Sequence, residues 1–162
     1  METMLASESL WSDRATEAVA PGTVLMRRAL APDSVIFVES GRVVLGVLGE
    51  AGVMEQQLGV VQGPGWLEAT SALLDLPSLV DAVTETDVAL RKVPRAEFQQ
   101  AIGICAPVEH SVLLDVARAH RQQTELTVSR LAKDAEARCA EWLLRHAEAS
   151  DVGVCSVRLQ QR

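Results

Sequence analysis

Hydrophobic and polar residues alternate along the first half of the chain and recur at helical spacing along the second. Thr23-Val24-Leu25-Met26 follows a turn at Pro21-Gly22, and Val35-Ile36-Phe37-Val38 follows Pro32-Asp33-Ser34. Glu39-Ser40-Gly41 then turns the chain into Arg42-Val43-Val44-Leu45-Gly46-Val47-Leu48, where Val43, Leu45 and Val47 share one face. Period-two alternation of β-branched residues with a glycine at the turn predicts a hairpin. Residues 56–61, 79–83 and 88–93 read as further strands. Many short strands with frequent turn signals predict an all-β roll, sandwich or barrel.

The period changes after Pro94. Phe98, Ala101 and Ile102 fall on one face of a short helix over residues 95–102, ended by Gly103. From Pro107 to Ser150 the pattern is helical and contains no Gly and no further Pro. It predicts two helices with a break near Lys133-Asp134. The first carries a stripe through Leu113, Ala117, His120, Thr124, Thr127 and Leu131, at steps of three and four. That is the seam spacing of a helix pair, so these six residues are the dimer-interface candidates. Asp134 and Arg138 form an i,i+4 acid-to-base pair. Cys139, Trp142, Leu143 and His146 give the second helix an apolar side.

Composition narrows the function classes. The chain has 162 residues, room for one core and an appendage. A net charge of −7 and a pI near 5.0 argue against a stand-alone nucleic-acid binder. Two Phe, three Trp and no Tyr leave little for stacking bases. No apolar run reaches membrane-spanning length, and the N-terminus lacks a basic-then-apolar signal pattern, so a cytoplasmic protein is expected, without membrane contact. Cys105, Cys139 and Cys155 are far apart, which suggests neither a disulfide framework nor a zinc site, and small, partly buried roles for all three. His110, His120 and His146 all fall in the helical half, so a histidine metal centre on the strands has no candidates. No nucleophile elbow, P-loop or HExxH pattern occurs, and Gly63-Pro64-Gly65 is too short for a phosphate loop. Neither a metal site nor an enzyme is expected.

Three blocks, in order, carry a family resemblance. PDSVIFVESGRVVLGV resembles the strand–turn–strand of the Crp/Fnr superfamily, with Gly41 as its central glycine. GPGWLEATSALLDLPSLVDAVTETDVALRKVPRAEFQQAI resembles that family's phosphate-binding cassette, the strands after it and the closing short helix. LAKDAEARCAEWLLRHA resembles the end of its dimerisation helix and the helix after it. The resemblance spans roughly residues 20–150 and implies an α+β, mainly β fold: a double-stranded β-helix, or jelly roll, followed by a long dimerisation helix. The implied organisation is an N-terminal arm or helix over 1–19, a roll over 20–105 and the dimerisation helix with its successor over 106–148. Residues 149–162 would lead toward a DNA-binding domain.

Two departures shape the expected function. Cyclic-nucleotide-binding members have a Gly-Glu pair early in the cassette and Arg-Ser/Thr-Ala near its end. Here Leu67-Glu68 and Val80-Asp81-Ala82 stand at those places, and Gly63 to Val83 contains no basic residue. Burying a phosphate against Glu68 and Asp81 without a cation costs on the order of several kcal/mol. Cyclic AMP or cyclic GMP bound in the family's usual way is therefore not expected. Glu68, Ala69, Val80, Asp81 and Ala82 are the ligand-pocket candidates. Glu68 either holds a ligand hydroxyl, caps the following turn or faces solvent, and Asp81 reads as a solvated strand-edge residue. Haem, on His120, is an open cofactor candidate, whereas an iron–sulfur cluster lacks its four thiolates. The effector is otherwise unknown.

The second departure is length, since the sequence stops where the family continues into a winged helix-turn-helix. The expectation is the sensor and homodimerising part of a transcription regulator, touching DNA only through a C-terminal domain absent from this chain. The alternative is a ligand-free protein-interaction module of the same fold.

Overall fold

The computed structural model describes residues 10–104, 106–132, 135–146, 148–149 and 155–156. Two four-stranded antiparallel sheets form the roll. One sheet contains β1 (Glu17–Val19), β8 (Val88–Pro94), β3 (Ser34–Ser40) and β6 (Gly65–Leu67) in that order. The other contains β2 (Val24–Met26), β7 (Asp81–Thr84), β4 (Arg42–Leu48) and β5 (Met54–Gln62). The alternation legible in β3 turns Ile36 and Val38 inward. They meet Leu67, Val88 and Leu90 of their own sheet and Met26, Val43 and Ala82 of the other. This double-layered core defines a jelly roll.

Gly41 makes the β3–β4 turn possible. Its φ is +92°, and a Cβ there would lie 2.3 Å from the Asp87 carbonyl oxygen. Both the left-handed backbone and the close approach require glycine.

Among the described residues, four helices follow or interrupt the strands: α1 (Ala69–Leu73), α2 (Arg95–Gly103), α3 (Pro107–Ala132) and α4 (Ala135–His146). Beyond them β9 (Glu148–Ala149) pairs with β10 (Cys155–Ser156). The predicted break falls between α3 and α4. Lys133, Asp134 and the Arg138 side chain lie outside what is described. Cys139 is exposed rather than partly buried. No helix among the described residues is long and apolar enough to cross a membrane.

The sequence pattern missed β1 and β6, and β9 falls within the stretch it read as helical. β1 and β6 have three residues each, too few to show a period. β1 lies inside the expected arm yet pairs with β8, so the roll begins at Glu17. The segment before it is docked as well. Trp11 stacks on Phe37 with ring centroids 4.6 Å apart and meets the edge of Trp66, which in turn meets Phe98 of α2. Arg91 donates to the carbonyls of Trp11 and Ser12. Most of the scarce aromatics are thus gathered on the outer face of one sheet.

The long helix α3 lies against α1, β4 and β5. Val128 packs with Val47 of β4 and with Val80. This contact is what brings the helix to the candidate site.

Candidate functional site: the cassette and its helix

β6 delivers Leu67 into the core, where it is 1% exposed. The next residue, Glu68, adopts φ 49°, ψ 39°, a left-handed conformation that costs a non-glycine residue about 1 kcal/mol or more. It sends the chain into α1, whose Ser71 and Ala72 are buried. Asp75, also left-handed, reverses the chain after the helix. The returning segment is fixed by backbone bonds: Leu76 N–H donates to Ser71 O (2.9 Å), Ser78 N–H to Leu30 O (3.0 Å), and Ala29 N–H to Ser78 O (2.8 Å). Gln99 of α2 donates to the Ala72 carbonyl at 2.7 Å, and Arg95 pairs with Asp75.

Within this frame Glu68 does not face open solvent, and its side chain makes no capping hydrogen bond to α1. Burial pushes its pKa above the usual carboxylate range. The Ser71 hydroxyl, the Leu79 backbone, the Ser78 hydroxyl and the charge of Arg121 pull the other way and only partly offset it. Oε2 completes no well-formed hydrogen bond, and neither does the Ser78 hydroxyl.

Glu68 therefore binds a proton more readily in the folded chain than in the unfolded one. Its contribution to stability is fully present below the unfolded pKa and is lost as pH rises through the raised folded pKa. Glu68→Gln should remove that loss. We expect its urea midpoint to gain on the wild type as pH is raised from acidic to neutral. A constant difference across that range would contradict the buried assignment.

Arg121 is the site residue that the sequence reading missed. It belongs to α3, fifty positions from the cassette serine it holds. Its Nη1 donates to Ser71 Oγ at 3.1 Å and to the Pro77 carbonyl at 2.9 Å. The cassette has no cation of its own, but the fold supplies one. The available signal was a charged residue between Ala117 and Val128 on the same helical face.

The other candidates separate. Val80 is 3% exposed and packs against Val47 and Val128. Asp81 is a correction: it is 5% exposed, not a solvated edge residue. Its Oδ1 accepts from Arg28 N–H at 2.9 Å and its Oδ2 from Leu48 N–H at 2.8 Å. Through both oxygens it ties the ends of β7 and β4 to the segment after β2. Ala82 is a core residue. Ala69 packs against the cluster of Val35, Ala72, Val93 and Phe98.

The helical stripe also divides. Ala117 is 3% exposed in the single chain and so faces its own roll, not a seam. His120 is exposed, with Nδ1 3.5 Å from Thr70 Oγ1 of α1. Thr124 and Thr127 return their hydroxyls to the carbonyls of His120 and Gln123 in the same helix. Leu113 and Leu131 remain exposed, as do Val108, Val112, Val116 and Leu126. The outward apolar face is thus rotated from the expected stripe, toward Val112 and Val116. Among the described residues no group of three or more His, Cys, Asp or Glu is placed to hold a metal ion.

A jelly roll interrupted by a helical cassette, with a long helix lying on that cassette, defines the fold class. The cyclic nucleotide-binding domain family matches residues 16–104, more than half of the chain, and the chain belongs to that family. Comparison with curated protein sequences gave no match. Among solved structures, the cAMP-bound form of the EAL enzyme Bd1971 is similar over 83% of this chain and 35% of its own, at 12% identity and a TM-score of 0.61. The chain thus spans about a third of that enzyme. The sensor domain of the transcriptional regulator DNR from Pseudomonas aeruginosa is similar over 74% of this chain and 79% of its own (16% identity, TM-score 0.57). The N-terminal domain of a transcriptional regulator from Streptomyces coelicolor A3(2) is similar over 74% and 83% (22% identity, TM-score 0.51). At these identities the likeness is one of fold.

Proposed function

We propose that this chain is the sensor and homodimerising domain of a Crp/Fnr-like, DNA-binding transcription regulator of the cytoplasm, with no catalytic role, and that its roll does not hold cyclic nucleotide in the family's usual way. The observation that carries this reading is Val80. An apolar residue is buried against Val47 and Val128 where the family resemblance would put the guanidinium that a phosphate needs. A signal acts by changing how the roll packs on α3, and so how two copies of α3 present the DNA-binding parts of the regulator. The second copy docks on the exposed Val108, Val112, Val116 and Leu126 face.

The test has two arms. Val112→Glu with Val116→Glu should give monomers in sedimentation velocity while circular dichroism is unchanged. Cyclic AMP and cyclic GMP should leave the melting temperature where it is. A bound ligand at a hundred times its Kd would add about 2.7 kcal/mol, which such a scan would register. A dimer that survives both glutamates would overturn the seam, and a clear nucleotide shift would overturn the account of the cassette.

The interior packing also favours a second reading, a ligand-free protein-interaction module. Asp81 is satisfied by backbone, Val80 by valines, and Arg121 is anchored to Ser71 and Pro77. A chain with no small-molecule response at any site would favour this reading over the first.

A further inference from the structure

Any effector excluded from the cassette interior needs another place from which to move α3. One cleft lies where the cassette and the long helix meet. It has a volume of about 400 Å³ and is lined by Leu74, Leu76, Arg118, Arg121, Gln122 and Glu125. Leu74 and Leu76 come from the cassette, and the four polar residues come from successive turns of α3.

Arg121 is the organising residue. A guanidinium has five N–H donors, and a carboxylate is gripped best by two parallel ones. Both bonds that anchor Arg121 to the cassette leave from Nη1. Among the described residues Nε and Nη2 have no hydrogen-bond partner, although the Glu68 carboxylate is close enough to feel the charge, and that edge is the one suited to bidentate capture. The side chain is therefore held still at one nitrogen and open at the other two, so little ordering is needed when a ligand arrives. Arg118, one turn earlier, pairs with Asp115 at 2.9 Å, and both side chains are largely exposed. Such a pair is weak and readily exchanged for a ligand carboxylate. Glu125 on the same wall disfavours a multiply charged anion, and the two leucines favour a hydrocarbon body.

We infer that this cleft is a binding site for a small organic carboxylate with an apolar body, held by Arg121 and Arg118 against Leu74 and Leu76. Binding there pulls on the guanidinium that joins α3 to Ser71 and Pro77, so the ligand acts directly on the roll–helix contact. The inference rests on the sensor reading above and names the chemistry of its effector.

Phenylacetate is a suitable probe, with 2-phenylethylamine and inorganic phosphate as controls, followed by amide chemical shifts of the whole chain. We expect saturable shifts at Leu74, Leu76 and Gln122 with a Kd of about millimolar for a ligand of this size. The amine and phosphate should not reproduce them. Arg121→Gln should weaken binding at least about tenfold. Because that change also removes the anchor to Ser71 and Pro77, Leu76→Asp is the second variant. Leu76 is 39% exposed, so the fold should tolerate aspartate, and its charge should repel the probe to a similar extent. Absence of saturable shifts, equal binding of the amine or phosphate, or binding untouched by both variants would overturn the site. Shifts at Val80, Asp81 and Ala82 with cyclic AMP would instead overturn the proposed function, so the two failures are distinguishable.

Discussion

Replacing Asp81 with alanine is expected to lower the stability of this domain by about 3 kcal/mol, because two hydrogen bonds to a charged acceptor disappear together. The carboxylate accepts from Arg28 N–H and Leu48 N–H, which lie 53 and 33 positions away in the chain. Both donors would need new partners in a partly buried region. For a chain of this size the melting temperature should fall by roughly 10 °C. Asp81→Asn keeps one acceptor oxygen and should lose about half as much. Chemical denaturation of the two variants checks the order. A change of under about 0.5 kcal/mol for the alanine variant, the level of an ordinary surface substitution, would mean that Asp81 does not tie β7 to its neighbours.

The second large effect is expected from Val80→Arg, which puts a cation into the cassette at the position the proposed reading assigns to one. Restoring one residue should not restore the site. The guanidinium would enter an apolar cluster formed by Val47, Val128, Leu45, Leu58 and Leu79. An unpaired charge in such a place costs about 3–5 kcal/mol. The variant should therefore melt earlier, and α3 should loosen from the roll. Calorimetry with cyclic AMP should show no binding. A variant of full stability that bound the nucleotide would show that Val80 merely marks a missing charge and does not plug the cassette.

Much of the fold was legible because β3 and β4 alternate cleanly, and a one-residue slip would reverse their faces. The switch of period at Pro94 and the interruption near residue 133 marked the helices equally well. The candidate site was legible in outline only. Glu68, Val80 and Asp81 could be singled out as candidates, but what they touch is set by distant backbone. Arg28 and Leu48 contribute amide groups, which leave no trace in a side-chain pattern. Arg121 was missed for a related reason: its partners lie in a segment whose own composition has no cation. The phase of α3 was misjudged because the helix has two apolar sides. Ala117 and Val128 face the roll, while Val112 and Val116 face outward. Periodicity alone reports that a face exists, not which of two neighbours it meets.

The aromatic stack on the outer sheet has a spectroscopic consequence. Trp11 and Trp66 sit within one group of touching rings that spans the N-terminal segment, β3 and α2. Trp142 belongs to α4 and is 43% exposed. The chain therefore carries two intrinsic optical reporters with different surroundings. One senses the closure of the roll, and the other senses events on the last helix. Comparing their emission during unfolding tells whether roll and helices melt as one cooperative unit or as two.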